Sequence, residues 1–210
     1  MQTVSRLIHT FIPNNYNLSL TLERKHRTFK GVVTIKGRVP HDQGEIRLHA
    51  KDLTIESVHV DGKSAKVSHD IHDELVIEHK DITAGDHIVT VAFNGLITDA
   101  MHGLYPCYFV HDGKKKELLA TQFESHYARE VFPCVDEPEA KATFDLTLTT
   151  ETGVTVLSNQ PVLKQNEENK KLVTTFHTTP KMSTYLLAWV VGELHSVSAK
   201  TKNGVEVNVW

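Results

Sequence analysis

The densest concentration of chemistry-bearing residues lies between Thr121 and Phe144, TQFESHYAREVFPCVDEPEAKATF. It holds a polar cluster of Gln122, Glu124 and Arg129, then a Phe-Pro-Cys turn, an Asp-Glu-Pro turn and the start of a strand. A plain connection between two strands requires nothing so elaborate. A carboxylate such as Glu124 can hold a cation through charge-assisted hydrogen bonds. Alternatively it pairs with Arg129 near the base of the loop. The five donors of Arg129 can satisfy loop carboxylates or carbonyls, with Asp136 and Glu137 as candidate partners. Pro133 and Pro138 fix φ and stiffen the two turns, while Phe132 and Phe144 read as anchors into the core.

Other chemistries find no footing. Fourteen histidines invite a metal site, but a hydrolytic zinc centre usually carries His-Glu-x-x-His on a helix, and that pattern is absent. The nearest cluster, His69-Asp70-Ile71-His72-Asp73-Glu74, reads as the polar end of a hairpin. There is no Gly-x-Ser-x-Gly elbow and no phosphate-cradling glycine loop. Cys134, set between a proline and a turn, reads as a buried structural thiol. The sequence shows no metal site and no catalytic machinery of its own.

The elements that must position the cluster are strands. Tyr16, Leu18, Leu20 and Leu22 alternate with polar residues, as do Phe29, Val33, Ile35 and Val39 with Gly31 and Gly37 in register. Short alternations follow at Ile46–Leu48, Leu53–Ile55 and Val58–Val60, the last leading into an Asp61-Gly62 hairpin turn and back through Ala65 and Val67. Leu75–Ile77 and Val89–Phe93 continue the pattern, the latter ending at Asn94-Gly95. After the cluster come Phe144–Leu148 and Val154–Val156, a turn at Ser158–Pro161, and a polar hairpin loop from Lys164 to Lys171 before Leu172–Phe176. Tyr185–Val191 is continuously apolar, like a strand covered on both faces, and Val205, Val207 and Val209 alternate to the last residue. Pro138–Ala142 fits one helical turn with proline first, and no segment holds helical periodicity over three turns. Many short strands at about ten-residue spacing predict an all-β fold, a saddle-shaped β-sandwich of mostly antiparallel strands forming a single domain over residues 1–210.

Composition narrows the function classes. With 40% hydrophobic and 23% charged residues the chain reads as an ordinary globular protein. A formal charge of -3 with interspersed signs gives no basic stripe, so no nucleic-acid partner is expected. Lys114-Lys115-Lys116 reads as a solvated loop tip. The amino-terminal residues lack a signal-peptide core, and no apolar run approaches the roughly 18–20 residues that span a bilayer. Cys107 and Cys134 are too few for a disulfide scaffold, so free thiols, a cytoplasmic location and no membrane partner are expected.

Thr121–Glu124, Ala128–Pro138 and Lys141–Phe144 closely resemble a signature of the zinc aminopeptidases of the aminopeptidase N family, in the domain preceding the catalytic one. Weaker echoes lie at Met101–Tyr105 and Met182–Gly192, so the likeness runs through the chain in order. Ser125-His126-Tyr127 departs from the proline-containing spacer common in that family, which bears on local loop shape. The resemblance implies a β-saddle resting on a thermolysin-like zinc domain, with one loop reaching the active site. It implies that Glu124 binds the free α-amine of a peptide substrate and that Gln122 lines the pocket for the first side chain. Arg129, Phe132, Pro133, Asp136, Glu137 and Pro138 are then architectural, and Tyr105 either approaches the substrate groove or packs in the core. Zinc would sit in a catalytic domain expected after residue 210, itself the chain's main partner, and the isolated chain would cleave nothing. The competing reading is a stand-alone β-sandwich binding or scaffold module. An apolar patch near the 121–138 loop and the last strand would mark a missing partner surface, whereas a fully polar face would favour the stand-alone module.

Overall fold

The structure is a computed structural model, and it describes residues 6–210. In chain order the strands are β1 (Ile12–Glu23), β2 (Thr28–Val39), β3 (Glu45–His49), β4 (Thr54–Val60), β5 (Lys63–Ser64) and β6 (Lys66–His69). They continue with β7 (Glu74–Glu78), β8 (Gly85–Leu96), β9 (Gly103–His111), β10 (Lys114–Gln122), β11 (Thr143–Glu151) and β12 (Thr155–Ser158). The last are β13 (Val162–Glu168), β14 (Lys171–Phe176), β15 (Trp189–Gly192), β16 (Val197–Lys200) and β17 (Glu206–Val209). Among the described residues the helical turns are short 3-10 pieces, and no helix is long and apolar enough to cross a membrane.

An eight-stranded sheet takes the order β13-β14-β11-β1-β2-β8-β4-β5. Two smaller sheets, β3-β7-β6 and β12-β15-β10-β9, stand beside it, with the β16-β17 hairpin as a separate pair. Pairing is antiparallel apart from β1 with β11, which run parallel from Asn15 opposite Thr143 to Thr21 opposite Thr149. One continuous core joins the large sheet (Leu18, Leu148), the three-stranded sheet (Ile46, Ile77) and the four-stranded sheet (Leu119, Val191). Period-two alternation produces this directly: successive side chains of a strand point to opposite faces, and Tyr16, Leu18, Leu20 and Leu22 all point into that core. The chain is an all-β, sandwich-like domain of open, mostly antiparallel sheets.

Five local expectations are overturned. Asn94-Gly95 does not end a strand, because β8 continues to Leu96. Gly95 lies opposite Phe29, and a Cβ there would fall 2.2 Å from the Phe29 ring, so this glycine admits an aromatic across the ladder. Lys164–Lys171 is mostly strand: β13 is an exposed edge, so polar residues can occupy both its faces, and the turn is only Asn169-Lys170, both at positive φ. Lys114–Lys116 opens β10, and the tip is Asp112-Gly113.

Tyr185–Val191 is not one buried strand. A 3-10 turn at Thr184–Leu186 exposes Leu186, and Asn159 draws the backbone out of register by bonding both Leu186 O and Ala188 N at 2.8 Å. Pro138–Ala142 forms no helical turn. A single bend closes it, Ala140 N to Glu137 O at 2.9 Å, after which Ala142 bridges to Met182.

Candidate functional site

The segment after β10 is carried on an aromatic base. Phe123, Phe132, Phe144, Tyr16 and Trp189 are all buried. Phe123 packs edge-on against Phe132 (6.1 Å) and Trp189 (5.5 Å), and Tyr16 stacks on Phe144 at 5.0 Å with nearly parallel rings. Such pairs add about 0.5–1.5 kcal/mol each beyond their burial. The parallel register sets Tyr16 beside Phe144, tying the first strand of the chain to the end of the segment. The Tyr16 hydroxyl accepts from Val135 N at 3.1 Å, and burial raises its pKa well above the ordinary tyrosine value.

Polar groups pin the rest. Asp136 is buried, and its Oδ2 accepts from both Arg129 N and Arg129 Nε at 3.2 Å, while Oδ1 accepts from Thr184 Oγ1 at 2.6 Å. Glu137 turns away from Arg129 and accepts from Leu7 N at 2.6 Å, with Arg6 alongside. His49 and Cys134 exchange both backbone hydrogen bonds, at 2.7 and 3.0 Å, and His49 Nδ1 accepts from Asp136 N at 3.1 Å. Burial, then the positive charge of Arg129, pushes the His49 pKa down to about 3, so the ring is a neutral acceptor. Burial also raises the Cys134 thiol, and both cysteines are free. Pro133 is buried beside them, and Pro138 heads the bend that closes on Glu137.

On this base the tip is outward and polar. Strand alternation persists through Gln122-Phe123-Glu124: Phe123 enters the core while Gln122 and Glu124 are exposed on the opposite side. Gln122 is still in β10, opposite Gly103, and its Oε1 accepts from Glu124 N at 3.1 Å. The next peptide, Glu124–Ser125, is cis. Tyr127 N closes the bend on Phe123 O at 2.9 Å, and a 3-10 turn at Ala128–Glu130 follows. Glu130 accepts from Lys51 Nζ at 2.9 Å and contacts His102 Nδ1 at 2.7 Å. Among the described residues Glu124 has no ion-pair partner, whereas Glu130, Asp136, Glu137 and Glu139 all do. The alternative pairing of Glu124 with Arg129 is therefore not formed, since Arg129 is taken by Asp136.

Gln122, Glu124, Arg129 and Asp136 separate in the fold into an exposed tip, where Gln122 holds Glu124 N, and a packed base, where Asp136 holds Arg129. His49 carries no signal in the sequence, and His102 and Thr184, which lie within the two weaker echoes, meet the segment only through sheet packing. Tyr105 lies opposite Ala120 on β9 and is half-buried. The 69–74 cluster is the β6–β7 turn, with Asp70 Oδ1 accepting from His72 N and Glu74 N. Among the described residues no three histidine, cysteine or acidic side chains are placed to hold a metal ion. Among the described residues the terminal hairpin exposes Val197, Val205, Val207, Val209 and Trp210, and Met101, Tyr108, Val110 and Leu186 are exposed elsewhere.

Residues 12–186 match the family described as the Peptidase M1 N-terminal domain. The chain is 50% identical over 212 aligned residues to an aminopeptidase N of Lactococcus lactis subsp. lactis, which covers 99% of the chain and 24% of that protein. It is 41% identical to an aminopeptidase N of Lactobacillus delbrueckii subsp. lactis (99% of the chain, 24% of that protein). A puromycin-sensitive aminopeptidase of Caenorhabditis elegans is 38% identical (94% and 22%). The chain thus spans about a quarter of the length of the curated relatives it matches.

Proposed function

The chain belongs to the Peptidase M1 N-terminal domain family, and on that premise we propose that it is the substrate-anchoring domain of a zinc aminopeptidase acting on peptide N-termini. The observation that carries the reading is the free carboxylate of Glu124, exposed on a rigidly based loop in which every other acid is engaged by the fold. Glu124 holds the α-ammonium of the substrate and Gln122 contacts the first side chain. A terminal ammonium satisfies the carboxylate by charge and hydrogen bonding. An internal amide offers no cation, and once the rest of the enzyme covers the exposed tip it would leave the acid unpaired, which rejects it.

Zinc is assigned to the remainder of a longer protein, since the chain spans about a quarter of the length of its relatives, and on this reading the chain alone cleaves nothing. The exposed valines of β16–β17 present the kind of apolar face that this remainder would cover. The free thiols Cys107 and Cys134 suit a reducing, cytoplasmic setting.

A charge-assisted hydrogen bond is worth roughly 1.5–3 kcal/mol. Glu124→Ala in the longer enzyme is therefore expected to lower kcat/KM by about ten- to a hundredfold. Activity within threefold of the parent would sink the anchoring role. A reading frame that stops at Trp210 would instead favour the stand-alone binding module.

A further inference from the structure

The residues that carry Glu124 are fixed at two points. Phe123 is the first, sunk in the aromatic base. The second is Tyr127, whose ring stacks on His102 at 4.2 Å with 22° between the planes. The His126 ring stacks 5.0 Å from Tyr127, and Ser125 Oγ lies 2.7 Å from His126 Nδ1. His102 is in turn fixed by Glu130 Oε2 at 2.7 Å, and Glu130 is held by Lys51, whose own backbone N donates to Arg129 O at 2.9 Å. Gly103, at positive φ, leaves room for this arrangement: a Cβ there would stand 3.2 Å from Glu130 Oε2. Gly103 also lies opposite Gln122, so His102 sits where the strand preceding the tip and the segment following it meet.

We propose that His102, held by Glu130 and stacked on Tyr127, is a positioning residue that clamps the Glu124-bearing bend for substrate-amine binding. Only Glu124, Ser125 and His126 separate the two anchors, and Tyr127 is the partly exposed one, so releasing its ring loosens the bend as far as the buried Ala128. His102 touches no substrate in this scheme and acts through the placement of Glu124. The inference rests on the anchoring role proposed for that residue.

A double-mutant cycle in the longer enzyme tests it. His102→Ala is expected to lower kcat/KM roughly three- to tenfold, since small misplacement of a binding group is costly. His102→Phe, which keeps a ring against Tyr127, is expected to recover part of the loss. In a Glu124→Ala background the His102→Ala effect is expected to shrink below about twofold, because residues acting as one unit are not additive. Equal losses in both backgrounds would overturn the proposal. A readout independent of activity is amide exchange at Tyr127, whose N–H closes the bend. It is expected to speed up at least about fivefold in His102→Ala, and unchanged exchange would refute the clamp whatever Glu124 does. If exchange rises while Glu124→Ala leaves activity intact, the anchoring role alone fails and the clamp holds the bend for some other purpose, which overturns the catalytic half of the inference.

Discussion

The lowered pKa of buried His49 should make the stability of the fold fall with pH in a defined window. The ring is 8% exposed, accepts a hydrogen bond from Asp136 N at 3.1 Å, and lies near the cationic Arg129. Its pKa falls from the ordinary 6.5 to about 3. A folded-state pKa below the unfolded one means the unfolded chain binds more protons between those values, so stability declines as pH falls from 6.5 toward 3. At pH 5 the unfolded ring is almost fully protonated and the folded one is not, which costs about 2 kcal/mol relative to pH 7. That figure barely moves if the folded pKa is one unit higher.

With a urea m-value of about 2 kcal/mol/M, the loss corresponds to a midpoint shift of roughly 1 M. Other groups titrate in the same range, so the assay compares parent and His49→Asn, which keeps an acceptor and loses the titration. The parent should lose about 2 kcal/mol more than the variant between pH 7 and pH 5. In the NMR spectrum of the parent the His49 ring should show no titration down to pH 5. Losses equal within about 0.5 kcal/mol, or a His49 ring titrating near 6.5, would refute the reasoning.

Asp136→Ala leaves Arg129 and Thr184 without their buried acceptor and should destabilise the fold by about 3–5 kcal/mol in denaturant titration; a loss under about 1 kcal/mol would show that the pair is not a structural hinge of the segment. Thiol labelling under native conditions should modify Cys107, which is half-buried, well before Cys134, which is buried and has a raised pKa. Simultaneous labelling of both cysteines would contradict the packing around the Phe-Pro-Cys turn.

Much of the fold was legible because alternation is a local signal. Tyr16–Leu22, Phe29–Val39 and Phe144–Leu148 each present apolar side chains at every second residue, and each became a strand of the large sheet. Three of the failures have causes that the local pattern does not carry. β13 and the start of β10 are exposed strands whose polar side chains carry no alternation, and Gly95 looks like a turn residue when only the Phe29 ring opposite explains it. The candidate site divides the same way. Gln122, Glu124, Arg129 and Asp136 are close in sequence and could be grouped by eye. His49 and His102 reach the segment through a backbone bridge to Cys134 and a stack on Tyr127, contacts that only the packing of separate sheets creates. The free state of Glu124 was equally hidden, because it depends on Arg129 choosing Asp136.

Recognition of a terminal ammonium by Glu124 can be read from the binding of a matched inhibitor pair. One compound carries the α-amine of a substrate, and the other replaces that amine with hydrogen. In the longer enzyme, Glu124→Ala should weaken the amine-bearing compound about ten- to a hundredfold, the loss of one charge-assisted contact, and leave the des-amino compound unchanged. Equal weakening of both compounds, or of neither, would rule out ammonium recognition by Glu124.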